Sequence, residues 1–111
     1  MSNVNTLSMV TSDQSITVLH VDDEPDFAEM VASFLASVDE CFKIRTAHSP
    51  DAGERMLGDR TVDCVVSDYE MPGRDGIEFL RSVRADHPNL PFILYTGRGS
   101  EEVASEAISA G

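Results

Sequence analysis

The chain has 111 residues, 41% of them hydrophobic, with 20 acidic residues against 8 basic ones and a formal charge of -12. That is enough apolar material for one small core without disulfides, and the wrong charge for a nucleic-acid surface, which needs clustered Lys and Arg. No apolar run nears the roughly 20 residues of a membrane span, and residues 1–15 lack the basic and apolar regions of a signal peptide.

Residues 1–15 read as a polar, disordered tail and residues 16–111 as one folded domain. Such acidity keeps a chain soluble and is a salt-adapted trait. Seven of the basic residues are Arg, and Lys43 is the one lysine. Cys41 and Cys64 have no metal or redox spacing. Free thiols and a cytoplasmic location are expected.

The first strand is Ile16–Val21, followed by Asp22-Asp23-Glu24. Pro25 suits the first position of a helix, capped by Asp23 or Glu24. Phe27, Met30, Val31, Phe34, Leu35 and Val38 recur at helical spacing and predict a core-facing stripe. A weaker strand spans 42–47. Ser49 caps a short helix from Pro50, with Asp51 and Arg55 paired one turn apart.

The third strand is predicted from Val62 to Ser67, a β-branched apolar run that stops at Asp68 before a turn. Asp75 and Glu78 form a capping-box pair, Ile77, Leu80 and Val83 continue the helix, and His87-Pro88-Asn89 ends it. Pro91–Tyr95 is a fourth strand, closed by Thr96-Gly97. Ser100 caps a last helix, with Glu101 and Glu102 at its positive end, Val103, Ala107 and Ile108 on its apolar face, and Gly111 at its C-cap. Strands alternating with helices imply an α/β fold with a parallel sheet and right-handed crossovers.

Asp22, Asp23 and Asp68 all fall at strand tips, where open α/β sheets place ligands. If strands one and three are neighbours, the three converge. Two carboxylates ~4 Å apart repel by roughly 4 kcal/mol at an effective dielectric near 20. A divalent cation would relieve that, and Mg2+ favours carboxylates, waters and phosphate oxygens. The plainer alternative is three solvated loop carboxylates in an acidic protein. Thr96 at the next strand end offers a hydroxyl to a phosphoryl oxygen, with Gly97 leaving room.

Three segments carry a resemblance: Val18-Leu19-His20-Val21-Asp22-Asp23-Glu24-Pro25, Val65-Val66-Ser67-Asp68-Tyr69-Glu70-Met71-Pro72-Gly73-Arg74-Asp75-Gly76, and Phe92-Ile93-Leu94-Tyr95-Thr96-Gly97. Together they resemble a response-regulator receiver domain of two-component signalling, and the acidity and fourth strand are similar to haloarchaeal members. The resemblance implies a flavodoxin-like doubly wound sheet, order 2-1-3-4 over these residues. It implies Asp68 as phosphoacceptor and Thr96 as switch hydroxyl. Gly97 keeps the site open. Mg2+ is held by Asp22, Asp23, Asp68 and the backbone carbonyl of Glu70. The implied partners are a sensor histidine kinase and a downstream effector domain or protein. The domain accepts a phosphoryl group onto itself and is no turnover enzyme, and neither nucleic acid nor membrane is a partner.

One departure stands out. Receivers carry a Lys at the end of a fifth strand; here Lys43 lies on strand two, and the fifth strand and last helix are missing from these residues. The outer side of strand four, with Phe92, Ile93 and Leu94, is then expected to be a bare edge, leaving these residues either marginal in stability or dimerising through the strand-four and last-helix side. The departure keeps alive a pseudo-receiver that only binds partners. An aspartate-nucleophile phosphohydrolase fits worse, because its Asp-x-Asp is replaced by Asp68-Tyr69-Glu70. His20 is expected to pack on the sheet. Arg74 and Arg98 read as solvated loop residues.

Overall fold

The computed structural model describes residues 15–59, 61–96 and 101–111. The expectations at Gly97, Arg98 and Ser100, the side-chain roles of residues 101–103, and the disorder expected of residues 1–14 lie outside the described residues.

The elements alternate as β1 (Ile16–Val21), α1 (Pro25–Val38), β2 (Phe42–Ala47), α2 (Pro50–Asp59), β3 (Cys64–Asp68), α3 (Gly76–Asp86), β4 (Phe92–Tyr95) and α4 (Glu101–Ala110). The strands form one parallel sheet in the order β2-β1-β3-β4. The expected α/β architecture and strand order are therefore present. β1 lies between β2 and β3, so its carboxyl end meets the carboxyl end of β3 directly.

Three strand limits differ from the sequence reading, and one of them is the end of β3, at Asp68 rather than Ser67. β3 begins at Cys64 rather than Val62, because Asp63 closes the ladder start: its N–H donates to the Thr17 carbonyl (2.9 Å), and its carboxylate accepts from the Thr17 N–H (2.8 Å). β4 begins at Phe92, since Pro91 has no N–H to give; its carbonyl accepts from the Val65 N–H at 2.9 Å.

One face of the sheet carries the core. Leu19, Val21 and Val65 are fully buried there against Leu57, Phe79 and Val83 from α2 and α3. Local chemistry holds these helices. The Ser49 hydroxyl accepts from the Ala52 N–H at 3.1 Å. The Asp75–Glu78 box is complete, with the Asp75 carboxylate accepting from Ile77 and Glu78 and the Glu78 carboxylate from the Asp75 N–H. Gly111 sits at φ +115 after α4, as a C-cap glycine does.

The other face corrects the sequence reading. Phe27, Met30, Phe34 and Val38 are 39%, 58%, 65% and 59% exposed, so these four of the six predicted stripe residues of α1 are not core. The helix seats on the Val31 and Leu35 side of the predicted stripe, both half-buried, together with buried Ala28 and half-buried Ala32. An apolar arc this wide can bury only one side on a sheet. Phe92 and Leu94 are also corrected: both are half-buried rather than bare, because β4 turns them toward α3, where the Phe92 ring lies 5.7 Å from Phe79. Only Ile93 of the three is exposed, at 55%. The caps of α1 differ too. Glu24 holds the cap position without a side-chain bond, and the Asp22 carboxylate takes the Glu24 N–H instead.

Candidate functional site

The sheet places its acidic residues as the strand-tip argument requires. Val21 pairs with Ser67, so Asp22 and Asp68 follow one another across adjacent strand ends. Oxygens of Asp22, Asp23 and Asp68 all lie within 4.8 Å of one another, a grouping of three metal-ligating side chains at the carboxyl edge.

Asp22 is fully buried and held at every polar atom. Its N–H donates to the Ala47 carbonyl at 3.0 Å, and its carbonyl accepts from His48 Nδ1 at 3.1 Å. Its Oδ1 accepts from the Glu24 N–H at 2.9 Å, and its Oδ2 accepts from the Tyr95 hydroxyl. Asp23 is half-buried beside it.

Asp68 ends β3 and is half-buried. Its Oδ1 accepts from the Glu70 N–H at 3.3 Å. Burial pushes its carboxyl above the ordinary range; the Glu70 N–H pulls it down, and the charges of Asp22 and Asp23 push it up again. The turn after it is firmly built. Gly73 adopts φ +84, Met71 is buried beneath, and the Gly76 N–H returns to the Tyr69 carbonyl at 2.8 Å. An open cleft of about 420 Å3 runs along this turn, lined by Tyr69, Glu70, Met71, Pro72 and Asp75.

Thr96 follows β4 directly and is half-buried. Asp68 is in register with Tyr95, and the Tyr69 N–H donates to the Tyr95 carbonyl at 2.8 Å, which brings Thr96 to the same edge. Lys43 is exposed on the sheet's far edge strand, opposite Thr17 near the amino end of β1, away from the carboxylates.

Several other residues resolve. Arg74 is not a solvated loop residue: its guanidinium pairs with Asp51 at 2.7 Å and Glu54 at 2.9 Å and donates to Ser82 at 3.1 Å, pinning the β3–α3 turn to α2. Asp51 is thereby engaged by Arg74 and not by Arg55. His20 packs on the sheet as expected and is wholly buried. Both cysteines are free thiols, each half-buried.

The sequence reading missed Tyr95 and His48 as partners of Asp22. A period-two alternation would have put Tyr95 on the face of β4 opposite Leu94, and His48 sits just past β2, another strand end. The strand-end rule that selected the carboxylates covers both.

The residues present fit a small divalent cation. Three hard oxygen donors converge, one of them buried and immobilised, and their mutual repulsion is the cost such an ion removes.

Residues 18–111 match the response regulator receiver domain family. The chain is 34% identical over 96 residues to the nitrogen assimilation regulatory protein NtrX of Azorhizobium caulinodans, covering 85% of this chain and 21% of that protein. It is 37% identical over 101 residues to a protein-glutamate methylesterase/protein-glutamine glutaminase of Rhodopseudomonas palustris, covering 88% and 27%. The chain thus spans about a fifth to a quarter of the length of these curated relatives. The structure superposes on the chemotaxis protein CheY4 of Vibrio cholerae with a TM-score of 0.81 at 26% identity, over 87% of this chain and 81% of that one.

Proposed function

The chain is a member of the response regulator receiver family, a phosphoacceptor signalling domain rather than a turnover enzyme, and from that premise we propose that Asp68 is the residue that takes the phosphoryl group. The observation that carries this is the convergence of Asp22, Asp23 and Asp68 within 4.8 Å at the carboxyl edge of the sheet. Asp68 alone of the three ends a central strand, and the open cleft is lined from the next residue, Tyr69, onward.

The phosphodonor is a phosphohistidine of a sensor histidine kinase. An Asp68 carboxylate oxygen attacks phosphorus in line with the leaving imidazole; the P–O bond forms as the P–N bond breaks, and the imidazole nitrogen keeps the electron pair and takes up a proton. The Glu70 N–H at 3.3 Å orients one carboxylate oxygen. Asp22, Asp23, Asp68 and the Glu70 carbonyl would hold Mg2+, which would supply positive charge to offset the phosphoryl oxygens. The Thr96 hydroxyl bonds a phosphoryl oxygen. The added charge and acceptors shift the edge toward a second arrangement that an effector domain or protein reads.

One observation favours a second reading, a partner-binding pseudo-receiver with impaired phosphorylation: Lys43 lies at the far edge of the sheet from the carboxylates. Intact mass separates the two. Incubation with Mg2+ and a small-molecule phosphodonor should add one phosphoryl group, absent in Asp68→Asn. A folded protein with no adduct would support the pseudo-receiver.

A further inference from the structure

Tyr95 and His20 form a short relay onto Asp22. Tyr95 is the last residue of β4 and His20 the second-last of β1. Their rings lie 5.8 Å apart at 29°, and the Phe27 ring covers Tyr95 from α1 at 5.8 Å. His20 Nε2 is 2.8 Å from the Tyr95 hydroxyl, which also contacts Asp22 Oδ2.

The direction of the relay follows from counting hydrogens. A phenol has one proton, and a carboxylate only accepts. The Tyr95 proton therefore goes to Asp22 Oδ2, and His20 Nε2 must carry the proton that it donates to the Tyr95 oxygen. His20 Nδ1 is then the bare nitrogen. Independently, Nδ1 is the one buried side-chain polar atom among the described residues without a partner. The opposite tautomer would bury an N–H there with nothing to receive it.

We propose that Tyr95 is a positioning residue for the metal centre, its hydroxyl fixing the Asp22 carboxylate for a divalent cation and His20 fixing the hydroxyl. The inference rests on the metal reading of the acidic cluster and deepens it. Two donors, the Glu24 N–H and the Tyr95 hydroxyl, take one lone pair on each Asp22 oxygen and set the carboxylate plane. The remaining lone pairs are left aimed from a fixed plane. Outer partners of this kind are worth ~10–100-fold in metal affinity.

The test is Mg2+ binding by calorimetry to the 111-residue chain and to Tyr95→Phe, which removes only the hydroxyl. The dissociation constant should rise about tenfold or more. A merely structural role would lower the melting temperature of the metal-free protein and leave that constant alone; equal or tighter binding overturns the proposal. A second measurement stands whether or not Tyr95→Phe folds. The chain has 2 Tyr and no Trp, so Tyr69→Phe leaves Tyr95 as the sole emitter. Its fluorescence should change saturably with Mg2+, at the calorimetric midpoint. Calorimetric binding without any change in Tyr95 emission overturns the proposal. If the unaltered chain binds no Mg2+, the metal reading itself falls and this inference with it. If it binds normally and Tyr95→Phe binds as well, only this inference falls.

Discussion

A Cβ placed on Gly76 would lie 2.4 Å from the Asp68 carbonyl oxygen and 2.5 Å from a Leu94 methyl. Both are far inside contact distance, and one of them is backbone that cannot swing away. Gly76 is also the first residue of α3, so the helix start is wedged against the strand end that carries Asp68. Gly76→Ala should therefore destabilise the domain by ~1–3 kcal/mol, read as a lower denaturant midpoint, and should reduce phosphoryl uptake in whatever fraction stays folded. A midpoint equal to that of the unaltered chain would mean the turn yields freely. Nothing in the sequence distinguishes Gly76 from a turn glycine, because the clash is with residues eight and eighteen positions away.

Asp68 allows a pH test at the same scale. Its carboxyl is raised, chiefly by burial, so the folded state holds its proton more tightly than the unfolded chain. Between the ordinary carboxylate value and the raised one, the folded state binds more protons, and this group's contribution to stability falls as pH rises. Above that window the metal-free protein keeps the full cost of a charged Asp68. Asp68→Asn should raise the melting temperature of the metal-free domain by a few degrees at neutral pH, with the gain fading in acid. A gain that grows toward acid would contradict the assigned direction.

Among elements, α1 shows what a pattern can and cannot say. Its periodicity identified the helix and its limits, since Pro25 and Val38 are its observed ends. Its burial was not legible, because apolar residues cover more of the circumference than one sheet face can bury. Periodicity says which residues share a stripe but not which stripe meets the sheet. The result is an exposed apolar face of Phe27, Met30, Phe34 and Val38, with Ile93 of β4 also bare. Surfaces of this kind drive association. Sedimentation velocity should show these 111 residues self-associating at micromolar concentration. Phe34→Gln with Met30→Gln should restore a monomer at little cost in stability, since neither side chain is core. An unchanged distribution would place the contact elsewhere, with the exposed Ile108 of α4 the next residue to test. By contrast, the Asp75–Glu78 box and the Ser49 cap were legible in full, because caps are set by residues within one turn of each other.

At the scale of the whole molecule, four strands in the order β2-β1-β3-β4 gather every strand-tip residue at one edge. That is why a linear reading located Asp22, Asp23, Asp68 and Thr96: an open parallel sheet converts "last residue of a strand" into "neighbour at the site". The same rule puts Tyr95 and His48 at this edge, but not against Asp22, because that contact depends on which way each side chain turns there. Nor could it foresee Arg74 reaching Asp51 and Glu54, where the helix-to-turn distance is set only by packing. Among the described residues no helix is long and apolar enough to cross a membrane. The central claim is that this edge takes a phosphoryl group at Asp68. The most direct measurement is borohydride reduction of the chain after treatment with Mg2+ and a small-molecule phosphodonor, followed by peptide mapping. Reduction of an acyl phosphate converts the aspartyl side chain to an alcohol and marks the acceptor. The account predicts one marked residue, Asp68. A mark on another residue, or none in a folded and Mg2+-saturated sample, would contradict it.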